Sequence, residues 1–356
     1  MCPTFTQAFE EIEADATLNP QPIHLLLGNG FSRGFDDGIF NYNSLYEAAN
    51  FNAEVQSVFD LLDTRDFEHV IRTLEESSDV VECFNGDGDL QEELDEGADH
   101  VREALIDVIT STHPERPQDI PIGRLRPCAQ FLKFFRDKRG IIFTLNYDIM
   151  LYWVILKSMA GEFGRELKST FCDGCGNDPA NELAGHVVYT RWMEPNVFYL
   201  HGAMFLFDDG QMLRKITNSR TEEPLIEQIS DNINAGMFPL FVAEGTSSKK
   251  VEAIRRKPYL LEAIKELEKA RGSLFIHGMS LSENDQHILD AIVKSKVQRV
   301  YVSYRGDLNS VSNQVLRARA QSMSAARSRN DLPLTVSFYD SGTIEVWGAA
   351  EAEADN

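Results

Sequence analysis

The 356-residue sequence contains no apolar run approaching the roughly 20 residues that cross a bilayer, which argues against a membrane-spanning chain. Its first residues, MCPTFTQAFEEIEAD, are acidic where a secretory signal would be basic. Cysteine is scarce. Cys2, Cys83, Cys128, Cys172 and Cys175 form an odd set without regular spacing, which argues against a disulfide framework and for a reducing, cytoplasmic compartment. Positive charge is also in short supply: 34 Lys and Arg stand against 56 Asp and Glu, a net charge of −22. Such a surface repels phosphate backbones and argues against a broad nucleic-acid interface. Internal repeats and long low-complexity segments are missing as well.

Short apolar runs that end in glycine or polar residues recur throughout: PIHLLLGNG (22–30), RGIIFTLNYD (139–148), NVFYLHG (196–202), FPLFVAEG (238–245), GSLFIHGMS (272–280), QRVYVSYRG (298–306) and LTVSFYD (334–340). They read as buried strands. Helical patterns such as YDIMLYWVILKSMA and NDQHILDAIVKSK lie between several of them. Strand-helix alternation of this kind predicts an α/β fold with a Rossmann-like, doubly wound, mostly parallel sheet. Residues 48–126 break the alternation and read as a helical insertion. Residues 1–47 with 127–345 then form the main domain, and 346–356 an acidic tail. The acidic linker ECFNGDGDLQEELDEG reads as a solvated loop rather than a calcium loop.

Four strand ends carry groups with chemistry. Gly28-Asn29-Gly30 after the first run would let a ligand approach the backbone, and a following helix would aim amides at phosphate; the same glycines would also serve a structural turn. With Gly34 they read GxGxxxG, one residue off the dinucleotide fingerprint. In TLNYD, Thr144, Asn146 and Asp148 should emerge at a strand's carboxyl end, where open α/β sheets bind ligands, or else cap the next helix. His201-Gly202 offers either a base with space beside its ring or a satisfied structural histidine. HGMSLSENDQHI brings Gly278, Ser280, Glu283 and Asp285 into a similar turn, whose plainer reading is a capped helix.

Taken in order, GNGFS, TLNYD, LHG and GMSL resemble the sirtuin-like fold, in which comparable loops surround NAD. The resemblance covers residues 22 to about 305 and implies that NAD is the substrate. It implies that Gly28, Asn29, Gly30, Phe31 and Ser32 line the pyrophosphate, with Thr144 beside the site. It further implies that Asn146 positions the attacking water, Asp148 holds the carboxamide and His201 acts on the ribose hydroxyls as a base. Gly278, Ser280 and Asp285 would face the adenosine half. Nicotinamide leaves as a neutral base from an oxocarbenium-like ribose, so alignment and a placed water suffice without a general acid.

Protein-deacylating sirtuins carry a four-cysteine zinc module. Here only Cys172 and Cys175 have ligand spacing, with His186 a single further donor, so FCDGCG reads as a glycine-rich loop and no metal is expected. The chain is more similar to sirtuin-like NAD-cleaving effectors of prokaryotic anti-phage defence. That resemblance implies an NAD glycohydrolase, a homo-oligomer and a hexameric HerA-type ATPase partner. A protein deacylase or ADP-ribosyl transferase, and a silent NAD or ADP-ribose sensor, are the alternatives. The segment 33–46, with Gly34 and Gly38, is a candidate hinge for gating, or a rigid connector.

Overall fold

The computed structural model describes residues 3–15, 21–37, 45–84, 88–114, 116–176, 186–208, 210, 212–217, 223–242, 246–327 and 332–349. Half of the expected hinge, residues 38–44 with Gly38, lies outside the described residues. The strands in chain order are β1 (Ile23–Leu27), β2 (Ile142–Thr144), β3 (Cys175–Gly176), β4 (His186–Tyr189), β5 (Val197–Tyr199), β6 (Gly202–Asp208), β7 (Leu213–Ile216), β8 (Pro239–Phe241), β9 (Arg271–His277), β10 (Lys296–Tyr304) and β11 (Thr335–Asp340). The helices begin with α1 (Phe5–Ala14), α2 (Gly30–Phe35), α3 (Leu45–Ala48), α4 (Ala53–Leu61), α5 (Phe67–Cys83), α6 (Gly88–Thr112) and α7 (Ile122–Asp137). They continue with α8 (Met150–Ala160), α9 (Leu225–Asn234), α10 (Ser247–Arg256), α11 (Pro258–Lys269), α12 (Gln286–Lys294) and α13 (Val311–Ala326).

Six strands form one parallel sheet in the order β11-β10-β9-β1-β2-β5. Counted along the chain, that is the 3-2-1-4-5-6 order compatible with a Rossmann-like fold, and the direction of winding reverses between β1 and β9. Side-chain parity explains why these strands read as continuous apolar runs. Leu25, Leu27, Phe275 and Tyr301 enter one core cluster, while their neighbours Leu26, Leu274, Ile276, Val300 and Val302 enter the other. Helices therefore cover both faces, as a parallel sheet requires. On the first face Phe5 of α1 and Phe135 of α7 meet Phe275 at ring distances of 5.4 and 5.6 Å. On the second, Leu267 of α11, Ile288 and Ile292 of α12, and Met323 of α13 seal the sheet.

Helices α3 to α6 occupy the interval without strands. Val55, Phe59, Phe67, Val70 and Val101 share the apolar cluster of the sheet's first face, so these helices are continuous with the main core.

The structure differs from expectation in one layer. A second, antiparallel sheet, β3-β4-β7-β6-β8, is formed by segments that lie between β2 and β9 in the chain. FPLFVAEG was expected to join the parallel sheet, but its strand β8 pairs antiparallel to β6 instead. The physical reason lies in the pairing: Gly202, at φ +80°, opens β6 after the two residues that follow β5, and β6 offers an edge on which β8 pairs. A Cβ at Gly202 would meet the Leu240 carbonyl oxygen at 1.9 Å. The space beside His201 is thus filled by β8.

Candidate functional site

β9, β1, β2 and β5 lie side by side, with Leu27 opposite both His277 and Thr144, and Thr144 opposite Tyr199. Their next residues, Gly28, Gly278, Leu145 and Leu200, consequently leave the sheet along one edge. The segments Gly28–Ser32, Thr144–Asp148, His201-Gly202 and Gly278–Ser280 follow these carboxyl ends, which flank the winding reversal, where such sheets hold ligands.

The glycine turns serve each other. Gly28 N–H donates to the His277 carbonyl at 2.9 Å and Gly30 N–H to the Gly278 carbonyl at 2.7 Å. A Cβ at Gly30 would stand 2.7 Å from Gly278 Cα, and one at Gly28 the same distance from Met279 Cα. The space that their missing side chains leave admits the backbone of the β9 turn. Gly278, at φ +72°, donates its N–H to Ser303 Oγ at 2.9 Å, while Ser280 is exposed. Phe31 is buried against Trp347, whose indole N–H donates to the Phe31 carbonyl at 2.6 Å. Asn29 and Gly30 themselves are exposed at the edge.

A buried polar chain joins the first two strand ends. Asn146 Nδ2 donates to Ser32 Oγ at 2.8 Å, and Ser32 donates in turn to Asp148 Oδ2 at 2.5 Å. The other Asp148 oxygen accepts the Met150 N–H at 2.9 Å, which opens α8. Asp148 thus supports the first amide of α8, whose N-cap residue is Ile149, and belongs to a side-chain network. Thr144 Oγ1 accepts the Asn146 N–H at 3.0 Å and fixes the turn. Burial raises the Asp148 pKa, opposed by the nearby His113 ring, the Ser32 hydroxyl and the Met150 amide. His113 comes from the helical interval, a partner that its distance in sequence concealed.

His201 belongs to a different group. Its Nε2 lies 3.0 Å from Nε2 of His287, and Nδ1 of His287 lies 3.1 Å from Ser247 Oγ. Ser247 also accepts the His287 N–H at 3.0 Å. Lys250 Nζ donates to Asp285 Oδ1 at 2.9 Å, both side chains being largely buried. Burial depresses the His201 pKa to about 3 and that of His287 to about 4, so both rings are neutral near pH 7. Burial works against the Asp285 carboxylate, but its interactions with His201, with the Lys250 ammonium and with His287 outweigh it and hold its pKa below the ordinary range. Asp285 thus sits with His201, and Ser247, Lys250 and His287 complete a group for which HGMSLSENDQHI gave only the Asp285-x-His287 spacing as a clue.

A cavity of about 940 Å³ opens between the turn before α5, the antiparallel sheet and α10. Its walls include Arg65, Arg72, Phe241, Val242, Lys249 and Arg256. Val242 N–H donates to the His201 carbonyl at 2.7 Å, and the Phe241 ring stacks on Tyr147 at 5.5 Å. The volume lies within the ordinary range for small-molecule sites. Gly28 to Ser32 are not among its walls. Cys172 and Cys175 lie apart, near the buried Lys215–Asp173 ion pair, and burial raises both thiol pKa values. Among the described residues no further His, Cys, Asp or Glu completes a metal-binding group with them.

No helix among the described residues is long and apolar enough to cross a membrane. No curated protein matches the sequence. Residues 25–347, nearly the whole of this α/β chain and all four strand-end turns, match the family described as a domain of unknown function, DUF4917, and the chain belongs to that family.

Proposed function

We propose that the chain binds NAD at the carboxyl edge of β9, β1, β2 and β5 and hydrolyses its nicotinamide N-glycosidic bond. The observation that carries this reading is the Asn146–Ser32–Asp148 chain, which presents an oriented amide beside the winding reversal of a 3-2-1-4-5-6 sheet. Asn146 aligns the water at the anomeric carbon, and Ser32 with Asp148 fixes the amide's rotation. Preorganised hydrogen bonding of this sort stabilises a developing oxocarbenium ion without a proton donor, because nicotinamide departs neutral. His201 takes no step here, since its Nε2 faces His287 and its pKa is about 3. In biological terms the reading is that of a sirtuin-like NAD-depleting effector of anti-phage defence, homo-oligomeric and paired with a hexameric HerA-type ATPase.

The alternatives are a protein deacylase and a silent NAD or ADP-ribose sensor, and one observation bears on every reading that places a pyrophosphate at the first turn. The Gly28, Gly30 and Phe31 amides already donate within the chain, so a pyrophosphate would have to displace protein acceptors. One experiment decides. NAD is incubated with the full chain, alone and with an acyl-lysine peptide, and free nicotinamide is followed. Release without peptide, lost in Asn146→Ala, supports the glycohydrolase. Release only with peptide supports a deacylase, and NAD binding without release supports the sensor.

A further inference from the structure

We propose that His201 Nε2, His287 Nε2 and a carboxylate oxygen of Asp285 form a binding site for one divalent transition-metal ion, zinc in the first instance. The donors come from the turn after β5 and from the start of α12, where Asp285 is the N-cap residue and His287 follows two residues on. Their ligand atoms all lie within 4.8 Å of one another. The two ring nitrogens stand 3.0 Å apart, close to the roughly 3.3 Å between neighbouring donors on a tetrahedral zinc with bonds of about 2.0–2.1 Å. Two nitrogens and one carboxylate oxygen suit zinc or iron(II), and three protein ligands leave a coordination position for water or substrate.

The surroundings are those that orient metal ligands. Ser247 Oγ contacts Nδ1 of His287, so the opposite nitrogen is the one aimed at His201. A hydrogen-bonded second nitrogen is the usual accompaniment of a ligating imidazole. Lys250 donates to Asp285 Oδ1 at 2.9 Å and so fixes the orientation of the carboxylate. His201 itself is fixed by its backbone, whose carbonyl accepts the Val242 N–H at 2.7 Å. The site adjoins the large cavity through Val242, Thr246 and Lys249, which line it.

The test uses the full chain, freed of metal by a chelator and titrated with Zn²⁺ and with Co²⁺. Wild type is expected to take up zinc stoichiometrically, to show the intense visible ligand-field bands of low-coordinate Co²⁺, and to melt at a higher temperature with zinc. His287→Ala and Asp285→Asn should weaken binding by more than about 100-fold, and Ser247→Ala by about 10- to 100-fold through the lost orientation. Circular dichroism of the metal-free proteins checks folding; if a ligand variant does not fold, Ser247→Ala, which removes one hydroxyl, decides. Absent or substoichiometric uptake by wild type overturns the proposal, as does an affinity unchanged in the folded variants. None of these readouts uses NAD, so failure here and failure of the nicotinamide assay are separate results.

Discussion

Replacing Gly30 by alanine tests whether the two glycine turns are held together by backbone contact. The added Cβ would lie 2.7 Å from Gly278 Cα and 2.9 Å from the Gly278 carbonyl oxygen. Ordinary carbon contacts are made at about 3.5–4.0 Å, so the turns after β1 and β9 must part by roughly 1 Å. Neither side can yield cheaply, because both contacting groups are main chain at the end of paired strands. Separation lengthens the Gly30–Gly278 and Gly28–His277 hydrogen bonds, now 2.7 and 2.9 Å. Overpacking of about 1–3 kcal/mol and two hydrogen bonds at about 0.5–1.5 kcal/mol each give a loss of about 2–6 kcal/mol. Urea unfolding followed by far-ultraviolet circular dichroism measures it, and the fluorescence of Trp347, bonded to the Phe31 carbonyl, reports the local change. Gly123→Ala is the control: it lies in the first turn of α7 with no atom within 4 Å of the new Cβ, and should stabilise by up to about 1 kcal/mol. A Gly30→Ala protein within about 0.5 kcal/mol of wild type would refute the contact. The same contact means that any loss of ligand affinity in a Gly30 variant must be separated from loss of fold.

Asn146→Ala should lower NAD turnover by about 100-fold or more, beyond the loss of about 0.5–1.5 kcal/mol expected from its bond to Ser32, when nicotinamide release is followed at matched folding; an unchanged rate would remove Asn146 from the chemistry. Asp148 has a folded-state pKa raised by burial above the ordinary 3.8, so its contribution to stability is present at low pH and lost as pH rises through the folded value. Asp148→Asn, which cannot ionise, should therefore gain stability relative to wild type as pH rises above about 4, and a difference in urea midpoint independent of pH would contradict this. His24 runs the other way. Its Nδ1 accepts the Ile141 N–H at 3.0 Å and burial depresses its pKa from 6.5 to about 4, so its stability contribution is present above pH 6.5 and lost as pH falls toward 4. The loss amounts to about 3 kcal/mol, and an NMR titration placing the His24 ring near 6.5 would exclude it.

The sequence by itself determined where the parallel strands lie and which residues leave their carboxyl ends. Those signals are local: an unbroken apolar run such as IHLLL or SLFIH marks a strand buried on both faces, and the glycine or polar residue that follows marks its end. It also marked the interval of helices before α7, since amphipathic periodicity needs no partner to be read. What only the tertiary structure decided is pairing. FPLF has the same local appearance in either sheet, and β3 is two residues long, so the antiparallel layer depends on contacts that no window of sequence contains. The glycines of GNG were legible as a place of close approach, but the approaching body is the backbone of Gly278, nearly 250 residues onward. Likewise Ser32 meets Asp148 across 116 residues and His201 meets His287 across 86. A side chain's identity limits the hydrogen bonds it can make, while the fold alone selects which partner is within 3 Å, and that selection divided one row of strand-end residues into a carboxylate–amide chain and a two-histidine, one-carboxylate cluster.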